Sequence, residues 1–190
     1  KIGRGNAMRS PRRTSSTAAA LMIGLALVAA VSTIGASAKK SIVSIVDSSL
    51  GADYVLHADQ FQPFSPEVAK ALAGKSELGA VAAFRFGEAK IGDAGRTSVQ
   101  GVNASALEAV LKLTTTKGSL DTLDKGELAI SETEAKNLKL SAGDSVGVTW
   151  SRTGATQMQI GAVYKDNQFA GGYLLSDKVF DANVTEQLLG

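Results

Sequence analysis

Residues 14 to 38 contain no charged side chain, and the apolar run inside that window, Ala18 to Ile34, follows directly on Arg9, Arg12 and Arg13. A helix rises about 1.5 Å per residue, so about 20 apolar residues cross the roughly 30 Å hydrocarbon core of a bilayer. The segment is long enough to span. A chain with this feature divides into a membrane-directed helix and a polar domain, and the two parts must be read separately.

Charge divides at the same place. Residues 1 to 40 hold seven bases (Lys1, Arg4, Arg9, Arg12, Arg13, Lys39 and Lys40) and no acid, whereas residues 41 to 190 hold 13 bases and 18 acids, a net charge of −5. The overall charge of +2 and pI near 8.8 therefore report a basic leader, not a nucleic-acid-binding face. Five bases precede the span and two follow it, which by the positive-inside tendency puts the N-terminus in the cytoplasm and the large domain outside. Arg9, Arg12 and Arg13 would then sit among anionic headgroups, each contributing about 1 kcal/mol near the surface. The chain has no cysteine, which fits an exported bacterial domain large enough to fold without disulfides and removes thiol nucleophiles and Cys-based metal sites.

Two readings of the apolar segment stay open. From Met8 onward the chain has a basic region, an apolar middle and Ala36–Ser37–Ala38, a small-residue site where a signal peptidase could cut and release a free binding module. A retained span is favoured, because the uncharged stretch exceeds the usual 7 to 15 residues of a signal's apolar region, and Lys1 to Ala7 would be a basic extension without a role. Small residues four apart (Ala20 and Gly24, Ala26 and Ala30, Ser32 and Ala36) would let such a helix pack closely on another, although Ala-rich spans contain such pairs by chance.

Pro11 suits a first helical turn and pushes Ser10 toward extended geometry, so the helix should start near Pro11 or Arg12. With no proline between Thr14 and Leu50, it can continue past the bilayer as a stalk and stop at Gly51. The expected organisation is a basic cytoplasmic entry segment over 1–13, a transmembrane helix over 14–38, a stalk helix over 39–50 and an extracytoplasmic α+β domain over 51–190, in one lobe or two.

Within that domain, 52–57 reads as a strand, 65–73 as a helix capped by Ser65 with Pro66 first and Gly74 at its end, and 81–91 with 97–102 as a hairpin around Gly92 to Gly95. A short helix is expected over 104–113. The second half predicts a strand over 127–131, a helix over 132–138, a turn at Ala142–Gly–Asp144, and strands over 145–150 and 158–163 around Arg152 to Ala155. A strand over 172–175 and a helix capped by Ser176 complete the pattern. Strands, helices and hairpins interleaved in this way indicate α+β.

The constellations that tempt a chemical reading each have a plainer one. Gly74–Lys75–Ser76 resembles the tail of a phosphate-binding loop, but Ala69 stands where that motif needs its first glycine and the preceding segment reads as helix, so Gly74 is a C-cap. His57, the sole histidine, could share a strand face with Asp53 and Asp59, yet three scattered polar residues on a strand edge are ordinarily solvated. Glu132 and Glu134 face different sides of a helix start, where acids complement the dipole, and Asp121 and Asp124 form no better acid/base pair. Asn103–Ala–Ser105 and Asn183–Val–Thr185 match the glycosylation sequon, which occurs often by chance. No catalytic, cofactor-binding or metal-ligating residue is therefore assigned.

The run Arg4–Gly–Asn–Ala–Met–Arg–Ser–Pro–Arg–Arg–Thr–Ser–Ser–Thr–Ala–Ala–Ala–Leu–Met–Ile–Gly24 resembles the entry to a first transmembrane helix in FtsX-like/MacB-like ABC transporter permeases. Glu127–Leu–Ala–Ile–Ser–Glu–Thr–Glu–Ala–Lys–Asn–Leu–Lys–Leu–Ser–Ala–Gly–Asp–Ser–Val146 is similar to the part of that family's extracytoplasmic core domain in which a strand, a helix and a Gly-Asp turn lead into the next strand. The resemblance implies a membrane permease subunit of the mechanotransmission type, not an enzyme, in a bacterial cell membrane. It implies as partners a separate ABC ATP-binding subunit, another permease half or a second copy, and the lipid bilayer, with no nucleic acid and no cofactor. The load it implies is a lipid, lipoprotein, peptide or cell-wall hydrolase. Such permeases continue after the external domain with further membrane helices, so the chain is expected to be a fragment of a longer protein.

Overall fold

The computed structural model describes residues 11–56 and 66–184, which fall into two units dividing between Val46 and Asp47. The entry residues before Pro11, together with His57, Asp59, Ser65 and Thr185, lie outside the described residues.

The first unit is a helix. α1 runs without interruption over Pro11–Ser49, 39 residues, or about 58 Å at the usual helical rise. Pro11 occupies the first position, where its missing N–H costs nothing, and Ala- and Leu-rich sequence sustains the helix beyond it. None of its residues is buried, and Leu21, Met22, Ile23, Leu25, Leu27, Val28, Val31 and Ile34 are all exposed. By length and composition α1 is apolar enough to cross a membrane. Its hydroxyls suit that solvent: Ser15 Oγ donates to Arg12 O at 3.0 Å, Thr17 Oγ1 to Arg13 O at 3.0 Å and Thr33 Oγ1 to Ala29 O at 2.8 Å. Each is satisfied on its own helix, so none would enter hydrocarbon as an unpaired donor. Ala36–Ser37–Ala38 is fully helical.

The second unit is built on a ring of strands. After the short helix α2 (Pro66–Ala73), β1 (Arg85–Ile91) and β2 (Arg96–Val102) form the expected antiparallel hairpin, pairing Arg85 with Gly101 and Lys90 with Arg96. The turn uses Gly92 and Gly95 at φ of 48° and 76°, in the left-handed region that favours glycine. α3 (Ala104–Val110) follows, started by the Asn103 side chain, which accepts from Ser105 N. β3 (Thr115–Gly118) and a 3-10 turn over Leu120–Lys125 lead into β4 (Leu128–Ser131) and α4 (Glu132–Leu138). β5 (Ser145–Trp150) and the long β6 (Gly154–Tyr164) make a second hairpin, and β7 (Tyr173–Ser176) and α5 (Asp177–Asn183) end the unit.

Pairing runs β6 to β4 (parallel), β4 to β7 (antiparallel), β7 to β2 (parallel), β2 to β1, β1 to β5 and β5 back to β6 (all antiparallel). Six strands thus close on themselves. β6 makes closure possible by serving two partners: Gly154–Gln159 pairs with β5, and Ile160–Tyr164 pairs with β4, with β3 lying on its other edge at Ala162–Tyr164.

A register shift at Gly161 sorts the core. Met158, Ile160 and Val163 of β6 join one hydrophobic cluster, whereas Ala162 and Tyr164 join another, so the bulge rotates the strand between them. The first cluster takes side chains from all six ring strands, including Ile91, Val99, Leu128, Ile130, Val148, Trp150 and Tyr173. The second lies on the opposite face, where Leu107, Val110, Leu120 and Leu123 cover Val102, Ala129, Ala162 and Leu174. The expectation of an α+β domain is met, and in place of two lobes one compact unit carries two cores on either face of one sheet.

α5 seals the first cluster. Phe180 is fully buried, and it reaches the ring because β1 and β2 present glycine: a Cβ on Gly101 would stand 2.6 Å from Phe180 Cγ, and one on Gly87 2.7 Å from Val184 Cγ1. Arg85 lies over the Phe180 ring at 4.8 Å and pairs with Asp181 and, at 3.9 Å, with Asp177. Burial raises the Asp177 carboxyl above its ordinary range against the pull of Arg85, with Asp181 adding to the rise.

Several elements differ from expectation. Residues 52–56 form no strand: Gly51 N and Ala52 N both donate to Val110 O, at 2.9 and 3.2 Å, and Tyr54, Val55 and Leu56 then run exposed, paired with no strand among the described residues. Residues 81–84 are likewise outside β1. α3 ends at Val110, three residues short of the expected 113, because Leu111 turns extended to bridge Leu50. Ser176 precedes α5 as expected, but its hydroxyl makes no capping bond.

Candidate functional site

The last turn of α1, Asp47–Ser49, belongs to the folded unit and is bonded into it. The final carbonyls of any helix lack partners within the helix, and a cation or a capping residue normally takes them. α1 has no basic residue in its last turn. Its carbonyls are instead taken from two distant places. Lys112 Nζ donates to Asp47 O at 2.8 Å and Lys112 N donates to Ser49 O at 3.0 Å. Asn167 Nδ2 donates to the same Ser49 O at 3.3 Å. Directly after the helix, Leu50 bridges Leu111 and packs with Ala52 against the second hydrophobic cluster.

Each donor sits on a well-made support. Lys112 follows α3 and its C-cap Leu111, and Leu107, Val110 and Leu111 are buried in the second cluster. Asn167 lies in the connection from β6 to β7, where its Oδ1 accepts from Phe169 N at 2.9 Å and Ala170 N at 3.3 Å, and Gly171 N donates back to Asn167 O at 3.2 Å. That loop is tied to the ring twice more. Tyr164 Oη donates to Gly171 O at 3.0 Å, and the buried Gln100 amide donates to Ala170 O at 2.9 Å and Phe169 O at 3.1 Å. Gly171, at φ 62°, has no room for a side chain beside Gln100.

The surrounding electrostatics suit a fixed structure. Asp166, next to Asn167, accepts from Thr133 Oγ1 at 2.8 Å and Thr133 N at 3.2 Å. Its slight burial works to raise the carboxyl, but hydrogen bonds from Thr133 and Ser131, with Lys136 nearby, outweigh it and hold the group below the usual carboxylate range. Burial chiefly, then Asp166, Glu134 and Tyr173, push the Tyr164 hydroxyl well up, so it stays a neutral donor. Tyr173 is raised by burial and by its hydrogen bond to Glu134 Oε2 at 2.7 Å.

The residues weighed from sequence are scattered. Glu134 is occupied by Tyr173, and Ser131 Oγ accepts from Glu134 N as the cap of α4. Asp121 accepts from Ser119 Oγ at 2.9 Å in the 3-10 turn. Gly74 closes α2 through its N–H to Lys70 O, so Gly74–Lys75–Ser76 follows a helix end. Asn103 caps α3, and Asn183 Nδ2 donates to Val179 O at 2.8 Å within α5. Among the described residues no three of His, Cys, Asp and Glu gather where they could hold a metal ion. A shallow depression lined by Lys90, Asp93, Thr149, Thr156 and Gln157 brings no base to a nucleophile.

Sequence reasoning missed Lys112 and Asn167. The signal available was indirect: a helix stopping at Gly51 with no cation in its last turn must have its carbonyls satisfied elsewhere, and Asn167 ahead of Gly171–Gly172 marks a turn.

The family model described as the MacB-like periplasmic core domain matches residues 14–184. No curated protein matches the chain. Among solved structures, the periplasmic region of MacB from Actinobacillus actinomycetemcomitans is similar at 13% identity and a TM-score of 0.49, over 68% of this chain and 63% of that one. The extracellular domain of the noncanonic ABC-type transporter YknZ from Gram-positive bacteria is similar at 18% identity and a TM-score of 0.46, over 70% of this chain and 74% of that one. A domain of a putative permease from Porphyromonas gingivalis gives 16% identity and a TM-score of 0.38, over 51% and 44%. The chain thus spans less than two thirds of the MacB region it matches.

Proposed function

The chain belongs to the MacB-like periplasmic core domain family, a domain of ABC transporter permeases, and from that premise we propose that it transmits motion across a membrane. A partner ATP-binding protein would move the cytoplasmic end of α1, α1 would carry the movement through the bilayer, and the folded unit would act on a lipid, lipoprotein, peptide or cell-wall hydrolase outside. The chain would perform no catalytic step of its own. Asn6 to Arg13 would meet the ATPase or the headgroups, 14–38 would be the lever, and 39–50 the stalk. A second permease half or a second copy would complete the assembly.

One observation carries this reading: an unbroken helix whose last turn is hydrogen-bonded into the folded unit. A tether only has to hold a domain near a membrane, and a flexible linker does that. A lever has to be continuous along its length and bonded at its load, and the reading is supported by a helix that runs uninterrupted to its bonded last turn, with proline absent from it beyond Pro11.

The test is the mass and membrane partition of the full native gene product in a bacterium, followed by capture of its partners. An integral-membrane species retaining residues 1–38 and co-purifying with an ATP-binding protein supports the proposal. A soluble exported species beginning at Lys39 overturns it in favour of a free binding module released by cleavage after Ala38.

A further inference from the structure

We propose that Asn167 is a positioning residue that latches the end of α1 to the β6–β7 loop, so that the two move as one body; its use in transmission rests on the function proposed above. The side-chain amide is divided between two tasks. Its oxygen takes two N–H groups of its own loop, from Phe169 and Ala170, while its nitrogen crosses 118 residues of sequence to Ser49 O. Neither end is loose. The loop is held by Gln100 from β2 and by Tyr164 from β6, and Ser49 O also receives Lys112 N.

The consequence is a continuous path of hydrogen bonds from the helix terminus to two strands of the ring that are not neighbours. β2 and β6 are separated by β4 and β7 along one arc and by β1 and β5 along the other. A displacement of Ser49 therefore acts on both sides of the ring at once through one amide. Lys112 alone would pass it only to the segment after α3.

The division of labour makes the latch separable from the loop. Asn167→Asp keeps an oxygen for Phe169 and Ala170 and replaces the donor to Ser49 with a second acceptor. Asn167→Ser keeps a hydroxyl that can accept from the turn but is too short to reach Ser49. Amide hydrogen exchange on the whole chain in lipid nanodiscs reads the result residue by residue. In Asn167→Asp, Gly51, Ala52 and Lys112 should exchange about tenfold faster, while Gly126 and Val184, bonded to Leu123 O and Phe180 O away from this loop, keep their wild-type rates. Asn167→Ser should show the same pattern and serves if the Asp variant does not fold. Unchanged exchange at Gly51, Ala52 and Lys112 in either variant overturns the latch, and so does a uniform acceleration across all amides, which would mark Asn167 as a general stabiliser. The same variants in the full permease, supplied to a strain lacking the gene, separate the two levels: local loosening with full rescue leaves the latch standing and refutes transmission through α1.

Discussion

The contact between Phe180 and Gly101 predicts that two damaging substitutions partly cancel. Phe180 is fully buried where α5 closes over the first cluster, so Phe180→Ala removes a complete aromatic side chain and leaves a cavity, at a cost of about 3–5 kcal/mol. Gly101→Ala does the reverse. Its Cβ would stand 2.6 Å from Phe180 Cγ and 2.8 Å from Phe180 Cβ and Cδ2, closer than carbon atoms can approach, and overpacking of this kind costs about 1–3 kcal/mol. Independent effects would sum to about 4–8 kcal/mol. In the double variant the contacts with the ring atoms Cγ and Cδ2 are gone and only the 2.8 Å approach to the retained Cβ at position 180 remains, so the new methyl has space beside it into which the strain can relax. Its destabilisation should fall short of the additive sum by at least about 1 kcal/mol. Urea unfolding of the detergent-solubilised chain measures this by the emission of Trp150, the one tryptophan, which lies in the same cluster with its Nε1 donating to Thr156 Oγ1 at 2.8 Å. Additive destabilisation in the double variant refutes the packing described here.

Two further outcomes follow from α1 and from Asp166. Ile45→Pro lies in the interior of α1, where proline removes a helical hydrogen bond and costs about 3 kcal/mol, so the variant should still partition into membranes yet fail to restore a strain lacking the gene; full rescue counts heavily against a lever. The folded state holds the Asp166 carboxyl low, so its ionised form contributes stability that is complete above the unfolded pKa and is lost as pH falls through the lowered folded value. Asp166→Asn should lower the melting temperature at neutral pH, with the gap from wild type closing in acid, and a gap that does not change with pH removes the electrostatic explanation.

What could be read in advance was local. The β1–β2 hairpin announces itself by alternation around Gly92–Gly95, and α4 by Ser131 followed by acids in the first turn. Both depend on residues within a few positions of one another. β3 was missed because Thr115–Gly118 is a short, mostly exposed strand whose only justification is its pairing with β6, more than 40 residues on. The reverse error at 52–56 has the same origin. Tyr54, Val55 and Leu56 have strand-like composition, but pairing needs a partner, and Ala52 is already committed to Val110. The donors to the end of α1 lie 65 and 118 residues away, a distance at which no pattern of spacing operates. The apolar character of α1, by contrast, is a property of composition alone and was evident at once.

Ring closure also governs when the unit can fold. β2 pairs with β7 some 75 residues later, and β4 has only β6 beside it until β7 arrives on its other side, so Tyr173–Ser176 is the last strand to slot in and the only one that joins the two halves of the sequence on that side. Along the sequence α1 precedes the whole ring, and this strand is the last of its six. Until residue 176 is in place, β2 and β4 each keep an open edge and the first cluster stays wet. Contacts this distant in sequence form slowly, because the entropy of closing the loop is spent before the pairing returns anything. Any stretch of the ring that stops short of Ser176 therefore leaves strand edges unpaired, and the six strands reach their final pairing together, not one after another.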